Sequence, residues 1–283
     1  LPEEHRSPTL RRRELGALLR TLRTEQGLTV EQVAEHLLCS PSKVSRMETG
    51  HRTATPRDVR DLCALYGVSD PAERDRMMQL ARESRLQGWW QSYDLQYSTY
   101  VGLEAEAISI HCFQSAVIPG LLQTPDYARA GHDVAIPRLP DAQIDHAIEA
   151  KLTRQRILTK ENPPDFAAVI DESALRRVTG SSLIMAEQLD KLLQSTELPN
   201  VTLQVLPFDA GTHPALESNF NIVELPGPTA DVVFVEGLSG STYLERDVDL
   251  DLYREVFARL QSLALSSADT IELVKEVLRS YKD

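Results

Sequence analysis

Between residues 15 and 22 the apolar positions fall at Leu15, Leu18, Leu19 and Leu22, the i, i+3, i+4, i+7 rhythm of one buried helix face. Gly27 then supplies the left-handed residue that commonly follows a helix. Thr29 opens a second helix, and Gln32, three residues on, completes a capping box ahead of the stripe Val33, Ala34 and Leu37. After a break at Leu38 and Cys39, Ser40 stands as an N-cap with Pro41 in the first helical position. That third helix buries Val44 and Met47 and stops at Gly50. Thr55-Pro56-Arg57-Asp58 and Asp70-Pro71-Ala72-Glu73 repeat the same opening for a fourth and a fifth helix. The pattern predicts an all-helical stretch over residues 11–87.

From Gly88-Trp89-Trp90 onward the pattern changes. Paired tryptophans are costly to leave in water, so they are expected to seal the joint between two domains, 1–87 and 88–283. Strands are predicted at Ser109–Ile118, Phe166–Ile170, Val201–Leu206, Phe220–Leu225, Val232–Val235 and Thr242–Leu244. Helices are predicted at Pro125–Val134, Asp141–Thr159, Leu183–Thr196, Val248–Leu265 and Asp269–Ser280. Strands adjacent in sequence between 200 and 246 point to an antiparallel or mixed sheet. The fold class expected is multi-domain: an all-α domain followed by an α+β domain.

Charge sharpens this picture only when it is divided along the chain. The net charge is -12, yet residues 1–60 hold eleven Lys/Arg against eight Asp/Glu, a net of +3, which leaves -15 on the remainder. A basic head on an acidic body fits nucleic-acid binding, because phosphates reward a local basic surface rather than a basic total. No run approaches the ~18 apolar residues that span a bilayer, and Leu1–Thr9 is polar, without the apolar core of a signal peptide. No membrane association is therefore expected. Cys39, Cys63 and Cys112 are odd in number and widely spaced, which reads as buried structural thiols in a reducing cytoplasm. The sequence contains no phosphate loop, HExxH or nucleophile elbow, so no enzyme, catalytic residue, metal or cofactor is expected.

Two short helices joined by a tight turn let the second lie in the DNA major groove. The stretch Leu28-Thr29-Val30-Glu31-Gln32-Val33-Ala34 through Ser40-Pro41-Ser42-Lys43-Val44-Ser45-Arg46-Met47-Glu48-Thr49-Gly50 resembles the XRE-type helix-turn-helix of phage repressors and their bacterial relatives. It departs from that pattern at Leu38, where a glycine often makes the turn, and at Pro41, which removes one base contact. Ser42, Lys43 and Arg46 are expected on the exposed face of the third helix as base contacts. Arg46 leads, because a guanidinium can grip guanine O6 and N7 together. Thr29 and the main chain at the start of helix two, with His51, Arg52 and Thr53 after helix three, are expected at phosphates. The resemblance implies a lambda-repressor-like helix-turn-helix fold for the all-α domain and a structural ion pair between Arg23 and Glu48. Arg11-Arg12-Arg13 reads equally as a phosphate-binding arm or a solvated helix start.

Further stretches extend the resemblance over nearly the whole chain: Gly88-Trp89-Trp90, Gly102–Ala107, Val117–Arg129, Arg154-Gln155, Asp171–Arg176 and Val205–Gly211. Together they resemble actinobacterial XRE regulators with an antitoxin-like C-terminal domain, the WhiJ-type group. The resemblance implies a developmental or antibiotic-production regulator, often encoded beside a small acidic partner protein that it is thought to bind. The leading expectation is a homodimeric, sequence-specific transcription regulator acting on an inverted-repeat operator in double-stranded DNA. Its C-terminal domain would modulate activity through dimerisation and a partner or ligand. One alternative is an antitoxin-like protein that sequesters a small partner, with DNA binding mainly autoregulatory. Another is a small-molecule-sensing repressor in which the 207–219 loop, with Phe208 and His213, lines a ligand or partner site.

Overall fold

The computed structural model describes residues 7–93, 97–227 and 229–282. They divide into two compact units. The first takes in residues up to 93, 98–106 and 225–230, and the second takes in 97, 107–224 and 231–282.

The first unit contains α1 (Pro8–Glu25), α2 (Val30–His36), α3 (Pro41–Glu48), α4 (Pro56–Leu65), α5 (Pro71–Glu83) and α6 (Ser98–Glu104). The start signals act as the sequence predicts. Thr29 Oγ1 accepts from Gln32 N while Gln32 Oε1 accepts from Thr29 N, and Thr55 and Asp58 form the same reciprocal box. Ser40 and Asp70 cap α3 and α5. Leu15, Leu19, Val33, Val44, Met47, Val59, Leu62 and Met77 form one apolar core that removes them from water. Leu18 and Leu22 are only partly buried against it. A signal invisible to periodicity is Gly16 on α1. A Cβ there would lie 2.5 Å from the Met47 carbonyl oxygen and 2.7 Å from that of Glu48, so only glycine lets α1 pack this closely on α3.

Helix α1 starts at Pro8, earlier than expected, and this decides the arginine triplet. Arg11 pairs with Glu14 at 2.7 Å and Glu83 at 2.8 Å. Arg13 is buried and donates to the Ala230 carbonyl at 3.2 Å. Arg11 and Arg13 are therefore tied to their surroundings, and the triplet is built into the helix rather than forming a projecting arm. The two tryptophans also part company. Trp90 is buried within this unit against Gly102, where a Cβ would approach its ring to 2.8 Å, while Trp89 stays partly exposed and meets Trp90 and Tyr93 edge-on.

The second unit is a six-stranded mixed sheet with helices. In chain order it contains β1 (Ser109–Gln114), α7 (Pro125–Asp133), α8 (Asp141–Gln155), β2 (Asp165–Asp171), α9 (Ser173–Arg176), α10 (Ser182–Ser195), β3 (Val201–Leu206), β4 (Phe220–Glu224), β5 (Val232–Gly237), β6 (Gly240–Leu244), α11 (Asp247–Leu263) and α12 (Ser267–Lys282). The strand order is β3-β2-β1-β4-β5-β6, parallel among the first three and antiparallel from β1 to β6. This is the α+β class expected. Phe113, Phe220, Ile222 and Val233 pack on Leu250, Phe257 and Leu260 of α11. The edge of β3 is closed: Val205 N donates to Thr270 Oγ1 at 3.0 Å, and the Val205 carbonyl accepts from Leu265 N at 2.8 Å.

β1 stops at Gln114, four residues short of the predicted end. The chain turns there because Ser115 donates through both its N–H (2.7 Å) and its hydroxyl (2.9 Å) to Asn219 Oδ1. Cys63 and Cys112 are buried, as expected of structural thiols, whereas Cys39 is only half-buried because it sits in the turn between α2 and α3.

Candidate nucleic-acid interface

Helix α3 turns Val44, Met47 and Glu48 inward and Ser42, Ser45, Arg46 and Thr49 outward. The four outward residues follow the i, i+3, i+4, i+7 spacing of a single stripe. Ser45 and Thr49 were not among the expected contacts, although that spacing, applied to the polar side of α3, would have found them. Arg46 is exposed, and its Nε donates back to the Ser42 carbonyl at 3.2 Å, which aligns the guanidinium along the helix surface. Thr49 is bonded through its hydroxyl to the Ser45 carbonyl at 2.9 Å.

Lys43 departs from expectation. It is half-buried, and its Nζ sits 2.8 Å from Asp58 Oδ1, so its charge is committed to the α4 capping box instead of projecting with Ser42 and Arg46. Burial works against the Asp58 charge, but hydrogen bonds from Lys43 and Thr55 outweigh it and hold the carboxyl below its usual range.

α3 is braced from behind. Arg23 of α1 meets Glu48 through two parallel hydrogen bonds, 2.7 and 3.0 Å long, and also donates to the Leu28 carbonyl at 2.8 Å. Both side chains are almost fully enclosed, so the fork fixes the rotation of α3 about its axis as well as its distance from α1. The hydrogen bond to Glu48 raises the Arg23 pKa above its already high value. Beyond α3, the Arg52 N–H donates to the Arg46 carbonyl at 2.8 Å and holds the following loop against the helix. His51 and Arg52 are exposed there and Thr53 is half-buried.

The start of α2 differs from a bare phosphate site. Thr29 is exposed, yet its hydroxyl accepts from Gln32 N and also bonds the carboxylate of Glu31. The Glu31 carboxylate takes a hydrogen bond first from its own backbone N–H and then from Thr29, and both lower its pKa. A negative charge therefore already occupies the first turn of α2.

The turn itself is made by Leu38, the one non-glycine among the described residues at positive φ (49°), with its side chain 93% exposed. Phe208 and His213, expected together on one ligand loop, are separated. Phe208 is exposed and its N–H donates to Glu172 Oε2 at 2.9 Å. His213 is buried edge-on to Phe113, and its Nδ1 accepts from Ala215 N at 3.3 Å. Its Nε2 lies 4.0 Å from Asp171 Oδ2, and burial pulls its pKa down. His213 latches the loop shut rather than facing a ligand.

Among the described residues no helix is long and apolar enough to cross a membrane, and no three His, Cys, Asp or Glu side chains gather as a metal site.

A tight two-helix unit with a polar outward stripe on its second helix, braced by a buried ion pair, defines a helix-turn-helix DNA-binding protein. A family model described as a helix-turn-helix domain matches residues 14–77, and the protein is a DNA-binding regulator of that class. A second model, described as "Domain of unknown function (DUF5753)", matches residues 97–276. This match covers more than half of the chain, so the chain belongs to that family. The pairing of the two domains fits an XRE-like regulator. No curated protein and no solved structure matches significantly.

Proposed function

We propose that the protein is a sequence-specific transcription regulator that binds an inverted-repeat operator as a homodimer. Residues 1–87 read DNA, and residues 88–283 modulate that reading through dimerisation and a partner protein or ligand. The observation that carries the reading is the outward stripe of α3, in which Ser42, Ser45, Arg46 and Thr49 present donors and acceptors on a helix of groove-fitting size. In this reading Arg46 reads a guanine and Ser42 a neighbouring base edge, while His51, Arg52 and Thr53 hold the phosphate backbone. Lys43, clamped by Asp58, contributes less to base choice than Arg46. Thr29 reaches a phosphate only where the Glu31 carboxylate gives way.

Fluorescence anisotropy on operator and scrambled duplexes over a salt series tests this. Arg46→Ala should lose roughly 1–3 kcal/mol of discrimination at one base pair. Arg52→Ala should weaken all duplexes alike and lower the salt slope by about 1. Unchanged discrimination and salt slope in both variants would rule out this docking mode.

A further inference from the structure

The second unit contains a cleft of about 170 Å³ at the carboxyl end of β1, where the parallel half of the sheet meets the antiparallel half. Strand register explains its lining. Asn221 of β4 lies opposite Cys112 of β1 and Phe234 of β5. Side chains two residues apart share a face, so Gln114, Asn221, Phe234 and Glu236 all project from the same side of the sheet. Val117 and Asn219, from the segments that flank β1 and β4, complete the rim.

The polar atoms of this cleft are left over after the fold has taken its share. Asn219 Oδ1 accepts two hydrogen bonds from Ser115, which turns its amide NH2 away from that partner. Among the described residues the side chains of Gln114, Asn221 and Glu236 have no hydrogen-bond or ion-pair partner. Lys151 is near enough for the Glu236 charge to act on it, but its ammonium is committed to Gln123 Oε1 at 2.5 Å. Three carboxamides and a carboxylate thus converge beside the buried ring of Phe234.

We propose that this cleft binds a small amine-bearing polyol the size of one sugar ring. The carboxylate suits an ammonium group, and carboxamides donate to and accept from hydroxyls. The volume lies below the ~300 Å³ at which sites for drug-sized ligands begin, which limits the ligand to a single ring. Phe208 and His213 lie outside this lining, so the ligand site is distinct from the 207–219 loop. The inference deepens the regulatory role proposed above by giving it a ligand class, while binding itself does not depend on DNA recognition.

Calorimetric titration of the full chain with glucosamine, and with glucose as the uncharged comparison, tests the proposal. Glucosamine should bind at least roughly tenfold more tightly than glucose, the scale of one added charge-assisted hydrogen bond. Glu236→Gln should erase that preference, and Val117→Trp, on the exposed rim, should block both sugars. Unfolding curves would check that each variant is folded. No heat from glucosamine at tens of millimolar, or equal binding by wild type and Glu236→Gln, overturns the site. Operator affinity measured with and without glucosamine separates the two claims. A change supports regulation through the cleft, and no change despite intact binding overturns the regulatory role alone.

Discussion

At the scale of single residues, the side chains that matter most are those whose environment departs from the simplest expectation. Leu38 holds a backbone conformation that costs an L-residue about 1 kcal/mol, and its side chain gains almost no burial in return. Leu38→Gly should therefore stabilise the protein by about 0.5–1 kcal/mol, visible as a higher urea midpoint at unchanged slope. A lower midpoint would mean that the leucine side chain contributes something its exposure does not reveal. Position 38 was legible in the sequence because a turn there needs a special backbone. The fate of Lys43 was not: its partner Asp58 lies fifteen residues away, and only the packing of α4 beside α3 brings them together.

At the scale of elements, helix starts were the most legible feature, since a cap, a proline and a returning acid or amide act within four residues of chain. Five predicted strands map onto β2 to β6 to within two residues at each end. Less legible were α6 and the early end of β1, both set by contacts distant in sequence: Gly102 on Trp90 and Thr9, and Ser115 on Asn219. The start of α2 yields a prediction of its own. If that turn faces the phosphate backbone, the Glu31 carboxylate repels it, so Glu31→Gln should raise operator affinity several-fold at low salt. The same change weakens α2, because an acidic group complements the helix dipole there. Affinity measured in a salt series and stability measured by urea should thus move in opposite directions. Reduced affinity at low salt would show that this turn does not approach DNA.

At the scale of the whole molecule, the titrating groups set where the fold is stable. His111 stacks on Phe257 at 4.9 Å, and burial lowers its pKa, as it does those of His132 and His213. An imidazole depressed in the folded state binds fewer protons than in the unfolded chain, so stability falls as pH drops through about 6.5. Asp58 adds to this at lower pH, because a depressed carboxyl loses its stabilisation as it protonates. Lys151, brought down to about 8 first by burial and then by Arg154, favours the alkaline side in the same way. The urea midpoint should therefore be lower at pH 5.5 than at pH 7.5, and His111→Phe should flatten the difference. Equal midpoints would contradict the burial assigned to these rings.

The charge split of the sequence, a basic head and an acidic remainder, was the first sign that one chain carries two kinds of surface. What the sequence could not give is which polar groups remain unspent once the fold has formed. The β1–β4 cleft and the withdrawal of Lys43 from the α3 stripe emerge only from packing, register and burial. Genome-wide immunoprecipitation of the tagged protein, with footprinting at the strongest site, shows whether α3 reads a specific DNA sequence. A short inverted repeat whose half-sites lie one helical turn, about 34 Å, apart should be protected. Enrichment without any shared motif, or none from folded protein, would contradict it.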